Sequence, residues 1–173
     1  MQLHTDRLFI RPIREADWPD LKRIVRDFDA SPYAPYDCAF PESDSDLRAA
    51  AEAFAGSGSF YVAILPETGE IIGYVSLWPN DGALSLGYCF HSAHHGHGYG
   101  YEACSALLDA YVQKGFRKFV CGTALLNKPS MRLIQKLGFI AESCEELSFR
   151  KDKSGNDIRF TGVWFAKTIG QPK

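Results

Sequence analysis

The sequence predicts one mixed α/β domain spanning residues 1–173, with the element order β-α-α-β-β-β-α-β-α-β-β. Three observations carry this expectation. Short β-rich runs bounded by tight-turn signals alternate with stretches of helical period. Three such runs, Phe60–Leu65, Ile71–Trp78 and Leu84–Phe90, follow one another through turns alone, as in an antiparallel meander. A helix-length segment then separates Leu84–Phe90 from Lys118–Thr123, which calls for a parallel crossover. A chain of 173 residues supports one domain with a real core and is too short for two.

Arg7–Ile13 reads as the first strand. Asp17 is placed as an N-cap, with Pro19 in the first turn and Asp20 completing a capping box. Leu21, Ile24, Val25 and Phe28 then give the helix one buried face. Ala30–Pro41 is a proline-bearing loop whose Tyr33, Tyr36 and Phe40 either line a cleft or pack the core. A second helix covers about 45–55 and stops at Gly56-Ser57-Gly58. Glu67–Glu70 makes a hairpin, and Asn80-Asp81-Gly82 a tight turn. The third helix carries Cys104, Leu107, Leu108 and Tyr111 on one face and ends at Gly115. Asn127–Lys136 is a short helix with Asn127 as N-cap and Gly138 as its stop. Ser143–Phe149 and Ile158–Lys167 form a last hairpin, and the final residues read as a tail. Tyr61, Trp78 and Trp164 are expected to pack on the sheet.

Composition narrows the function. Hydrophobic residues make up 46% and charged residues 23%, as in ordinary globular proteins. A formal net charge of −2 gives no electrostatic case for nucleic-acid binding. No apolar run reaches the roughly 20 residues of a membrane span, and Met1–Arg7 lacks the pattern of a signal peptide. The five cysteines (Cys38, Cys89, Cys104, Cys121, Cys144) contain no C-x-x-C and read as small hydrophobes in a reducing compartment, so a cytoplasmic location is expected.

The chemistry concentrates after Phe90. Gly96, Gly98 and Gly100 sit between a strand and a helix, where backbone amides and the helix N-terminus suit a phosphate or pyrophosphate. A Walker A loop requires Gly-Lys-Ser/Thr, and here Tyr99 and Tyr101 follow the glycines. A dinucleotide fingerprint requires a glycine at 101 and an acidic residue on the next strand, and neither is present. A purely structural glycine turn is the remaining bland alternative. His91, His94, His95 and His97 spell His-x-x-His-His-x-His, but no cysteine or carboxylate lies in that loop and adjacent His94 and His95 converge poorly. No metal is predicted there.

His95–Gly100 resembles the R/Q-x-x-G-x-G/A loop of the GNAT acetyltransferase superfamily at both glycines, with His95 in place of Arg or Gln. Thr5–Arg11 resembles the opening T-x-R-L-x-L-R of the branch containing ribosomal-protein alanine/serine N-terminal acetyltransferases. Asn127, Ser130, Gly138 and Phe139 resemble its N-x-x-S…G-F segment, and the similarity runs from Thr5 to Lys167. The resemblance implies a GNAT-like fold with a splayed central strand pair, acetyl-CoA as donor and a primary amine as acceptor, either a protein N-terminus or a small molecule. It implies that backbone groups of Cys89 and Phe90 bond the pantetheine arm, that the amides of His95, Gly96, His97, Gly98, Tyr99, Gly100 and Tyr101 hold the pyrophosphate, and that Asn127 contacts the arm. Ser130–Phe139 contains no tyrosine, so the acid for the leaving thiolate falls to Ser130, and Glu142 corresponds to a base in some relatives. Beside these stand plainer readings: Asn127 as a helix cap only, Ser130 as a first-turn residue, and Glu142 as a solvated charge.

Overall fold

A computed structural model describes residues 1–170, and the predicted tail lies from residue 171 onward outside the described residues. The strands are β1 (Leu3–His4), β2 (Phe9–Pro12), β3 (Phe60–Ile64), β4 (Ile71–Asn80), β5 (Ala83–Phe90), β6 (Lys118–Ala124), β7 (Ile140–Lys151) and β8 (Asp157–Thr168). The helices are α1 (Trp18–Asp29), α2 (Asp44–Ser57), α3 (Tyr99–Gln113) and α4 (Lys128–Lys136). All strands join one mixed sheet in the order β1-β2-β3-β4-β5-β6-β8-β7. Every pairing in it is antiparallel except β5–β6, the parallel crossover through α3.

Two cores sandwich the sheet. On one face α3 and α4 bury Leu107, Leu108 and Ile134 against Ile10, Tyr61, Ala63, Val75, Phe119 and Phe165. On the other, α1 and α2 bury Leu21, Ile24, Val25 and Leu47 against Phe60, Val62 and Tyr74. Successive side chains of a strand point to opposite faces, so β3 splits Tyr61 and Ala63 from Phe60 and Val62. That is why its five residues are apolar without alternation. Truncating a buried leucine such as Leu107 to alanine removes about 2–5 kcal/mol from a site of this kind.

Local signals set the element ends. The Ser43 side chain accepts the Asp46 N–H (3.1 Å) and starts α2. The β4–β5 turn places Asp81 at φ 41, the only non-glycine residue at positive φ among those described, as a tight hairpin turn requires.

Asp17 departs from its expected role and makes no side-chain cap on α1. Its carboxylate instead accepts two hydrogen bonds from the Arg11 guanidinium (2.6 and 2.8 Å) and one from the Arg14 N–H (2.8 Å). Both side chains of the pair are only 10% exposed. The Asp17 hydrogen bond raises the Arg11 pKa against the cost of burial. A buried guanidinium with a partner in reach outcompetes a cap, because leaving the cation alone would cost far more than one unmade N–H bond.

Trp164 also differs from expectation. It is 40% exposed, lies over Gly122, where an added Cβ would come within 2.6 Å of its ring, and donates its indole N–H to Glu145. Among the described residues no helix is long and apolar enough to cross a membrane.

Removing one partner of the Arg11–Asp17 pair strands the other. Asp17→Ala is expected to lower stability by about 3–5 kcal/mol, seen as a lower urea midpoint with an unchanged denaturant slope.

Candidate active site

β5 and β6 pair only at Leu84–Phe119 and Ser85–Val120. Each stays bound to its outer neighbour well past that point, β5 to β4 as far as Phe90–Gly73 and β6 to β8 as far as Ala124–Gly162. They therefore diverge from Leu86 and Cys121 onward, leaving a wedge with an unpaired backbone edge on each wall. The antiparallel alternation decides which residues face it. The His91 N–H donates to the Ile72 carbonyl (2.9 Å), so Gly87 and Cys89 turn their backbone groups into the ladder with Ser76 and Tyr74, while Tyr88 and Phe90 turn theirs into the wedge. Tyr88 and Phe90 are thus the wedge-facing pair, and the register turns Cys89, expected in that role, the other way. An extended ligand with amides can join such a wall as an added strand.

The narrow turn after β5 is pinned from several sides. Asp27 of α1 accepts from the Ser92 N–H (2.7 Å) and hydroxyl (2.6 Å). Burial pulls the Asp27 pKa up, but these two bonds outweigh it and hold it low. A His95 ring nitrogen meets the Phe90 carbonyl at 2.7 Å, and a His97 ring nitrogen meets the His95 carbonyl at 2.9 Å. His94 bonds Glu70 (3.2 Å) and His91 the Ala93 N–H (3.3 Å), so the four rings are turned to four different partners. The His95 amide is already donated to Ser92 (3.0 Å), which leaves Gly96–Tyr101 as the free donors of the turn. Glu102 N–H, bonded to the Gly98 carbonyl (3.1 Å), is the first helical donor of α3, and no acceptor among the described residues takes the Tyr99, Gly100 or Tyr101 amide.

Two glycines serve different ends here. Gly98 caps α3 at φ 83, in the left-handed region closed to a branched side chain. Gly100 is helical. A Cβ there would lie 3.3 Å from Leu133 and 3.5 Å from the Phe90 ring, so its role is the close approach of α3 to α4 and β5.

Thr5 and Arg7 lock this helix start. The Thr5 hydroxyl (2.6 Å), the Arg7 N–H (3.0 Å) and the Arg7 guanidinium (2.6 and 2.8 Å) all donate to the Glu102 carboxylate. Arg7 also donates to the His97 carbonyl (2.9 Å) and sits over the Tyr99 ring. Burial would raise the Glu102 pKa, and the Thr5 and Arg7 hydrogen bonds overcome it and hold it below the ordinary 4.5.

At the far wall α4 begins. Asn127 Oδ1 accepts the Ser130 N–H (3.2 Å), so Asn127 does cap the helix. The Ser130 hydroxyl lies 2.8 Å from the Tyr88 hydroxyl, which reaches across from β5. Behind β5 a cavity of about 30 Å³ is lined by Val25, Phe28, Asp37, Phe40, Tyr74, Tyr88 and Cys89. Burial raises the Asp37 pKa against a Cys38 N–H bond and the charge of Arg150. Phe40 packs edge-on to Tyr74, and Tyr36 packs on Phe160, so the loop aromatics both pack and line. Burial pushes the Cys89 and Cys121 thiols up to about 12, so neither supplies a thiolate near neutral pH.

A wedge with bare backbone walls, ending at a turn of free amides, is the outline of a site for a long ligand with an anionic end. The family model for the acetyltransferase (GNAT) domain matches residues 7–140. The chain belongs to the GNAT acetyltransferase family. Protein YkkB of Bacillus subtilis (strain 168), itself uncharacterized, is 33% identical over 85 residues, 46% of this chain. The chain spans about half (49%) of that curated relative's length. A GNAT-family acetyltransferase from Bacillus anthracis matches with a TM-score of 0.80 at 22% identity, covering 97% of this chain and 98% of the other. RimL, a ribosomal L7/L12 alpha-N-protein acetyltransferase solved with coenzyme A, matches with a TM-score of 0.80 at 19% identity and 98% coverage of each chain. At those identities the two structures show a shared GNAT fold.

Within this GNAT domain the sequence-named residues do not all converge. Phe90, the glycine turn, Asn127 and Ser130 line the wedge or its end. Glu142 is exposed and occupies a bulge in edge strand β7, between the Ala141–Phe165 and Ser143–Trp164 pairs. Strand β8 lies between β7 and β6, which are about 10 Å apart, so Glu142 is not on a strand that walls the wedge. Tyr88, Asp37 and Glu102 were not singled out, because their partners lie 42 to 97 residues away or across a cavity.

The Glu102 clamp has a pH signature. Its contribution is complete above the ordinary carboxylate pKa of 4.5 and is lost as pH falls through the lower folded value. Glu102→Gln should cost about 1–2 kcal/mol at pH 7, the half-exposed Arg7 screening part of the pair. Denaturation curves should show that gap closing below about pH 4.

Proposed function

We propose that this GNAT domain transfers the acetyl group of acetyl-CoA to a primary amine, a protein N-terminus or a small amine, by direct attack in a ternary complex. The observation that carries the reading is the wedge: two backbone walls that end in the free amides of Gly96–Tyr101. The pantetheine amides would bond the wedge-facing groups of Tyr88 and Phe90, and the pyrophosphate the glycine turn and the start of α3. The coenzyme A bound in RimL, a protein named for N-terminal acetylation, supports the same donor and acceptor classes here. Cysteines without ionised thiols at the wedge favour direct attack over a covalent carrier. Five unpaired cysteines accord with a cytoplasmic location.

The reaction asks for a base, an oxyanion donor and a partner for the leaving sulfur. The Phe90 N–H faces the wedge and is the donor for the tetrahedral oxygen. Ser130 is the group that meets the departing thiolate. For the amine proton, Glu142 is the base that the family resemblance implies, and Asp37 is the one that the cavity behind β5 supports. Asp37 is solvent-accessible at the edge of that cavity and its pKa is raised, which is better matched to taking a proton near neutrality.

A thiol-release assay across N-terminal peptides, polyamines and amino acids tests the function. Release that depends on one amine class is expected, and intact acetyl-CoA binding without turnover on any of them would make the chain a binding module. Gly98→Val should weaken acetyl-CoA at least about tenfold, or about 1.4 kcal/mol, in a protein that still folds. Calorimetry giving the wild-type affinity would remove the turn from the site. Ser130→Ala should lower kcat by roughly 10² or more with little change in KM for acetyl-CoA. Of Asp37→Asn and Glu142→Gln, the true base variant should lose about 10²-fold in kcat/KM for the amine, with the other staying near wild type.

A further inference from the structure

The Tyr88 hydroxyl is 2.8 Å from Ser130 Oγ and 3.4 Å from the Ser130 carbonyl oxygen. The carbonyl only accepts, so the phenol is the donor in the longer contact, while in the 2.8 Å contact either hydroxyl can donate to the other. Among the described residues no other side-chain hydrogen bond joins β5 to α4. Tyr88 lies three residues past the last β5–β6 pair, on the stretch of β5 that has left β6, and its ring rests against the core beneath α3 and α4. Burial raises its pKa well above 10, and the Ser130 hydrogen bond lowers it less, so the phenol keeps its proton throughout the working range.

Ser130 needs such a partner. Its backbone is fixed by Asn127, but a serine hydroxyl otherwise rotates among three staggered positions. The Tyr88 hydroxyl at 2.8 Å holds Ser130 Oγ in one of these positions, and Ser130 Oγ has no other side-chain partner among the described residues. No tyrosine lies on α4 or before Phe139 to supply a phenol from that helix.

We infer that Tyr88 is a positioning residue for the acetyl transfer: from across the wedge its hydroxyl fixes the rotamer of Ser130, so that the Ser130 hydroxyl is held where it meets the departing sulfur. This rests on the reading of Ser130 given above. In the step the amine nitrogen bonds the acetyl carbon, the carbon–sulfur bond breaks and its electron pair stays on sulfur. Ser130 passes its proton to that sulfur, and the proton released by the nitrogen returns to Ser130 through water. Amine and thioester become amide and thiol, and Tyr88 ends as it began.

The test is a double-mutant cycle with Tyr88→Phe, which keeps the ring and removes the hydroxyl, and Ser130→Ala. Tyr88→Phe is expected to lower kcat at least about tenfold while leaving acetyl-CoA affinity unchanged. In the Ser130→Ala background it should cost less than about twofold further. Multiplying losses, or an unchanged kcat in folded Tyr88→Phe, would overturn the assignment. A readout without an acceptor runs beside it: with tyrosines labelled at the phenolic carbon, coenzyme A should shift the Tyr88 resonance in the wild type and leave it unmoved in Ser130→Ala. A shift that persists in Ser130→Ala would put the phenol itself on the ligand and overturn the positioning role. Wild-type protein that neither binds coenzyme A nor releases thiol would fail the acetyl-transfer reading itself, whereas binding with additive losses fails this inference alone.

Discussion

The rest of the site depends on where parallel pairing stops. β5 and β6 share only two register pairs before each follows its outer partner. An unmade ladder inside a sheet is costly, because every unpaired N–H and C=O has lost a strong bond. The structure tolerates it because both strands are secured on their far sides and because the opening reaches solvent at the glycine turn. The same unmade bonds are what an amide-bearing ligand can complete. The defect in the sheet and the binding capacity are one feature.

Everything at the open end, past the tip of β5, holds that opening in place. α3 must start at the tip of β5, so its first turn is anchored from outside the helix, by Thr5 and Arg7 on Glu102. Asp27 reaches from α1 to Ser92, and His95 closes back on the Phe90 carbonyl. Gly100 removes the one side chain that would push α3 off Phe90 and Leu133. These contacts are polar and partly exposed, each worth little alone. Together they fix a short turn that has no core of its own.

Deeper in, toward the last β5–β6 pair, the wedge meets α4 on one side and the Asp37 cavity on the other. Tyr88 ties the first to β5, and Tyr88 and Cys89 both line the second.

Hydrophobic period and turn chemistry are local properties, and they gave the element order from β2 onward, the parallel crossover and the glycine turn with its helix; the short strand β1 (Leu3–His4) came only with the fold. The sequence by itself also determined that Asn127 would cap α4, since a cap needs a partner only three residues on. The tertiary structure decided the rest. Asp17 reads as a cap until Arg11 is folded beside it. Cys89 and Phe90 read alike until the register with β4 assigns their backbone groups to opposite edges. The place of Glu142 in edge strand β7, with β8 between it and the wedge wall β6, is likewise set only by the folded sheet. Tyr88 and Glu102 carry no local signal, because what they do depends on groups that only the folded sheet brings within hydrogen-bond distance.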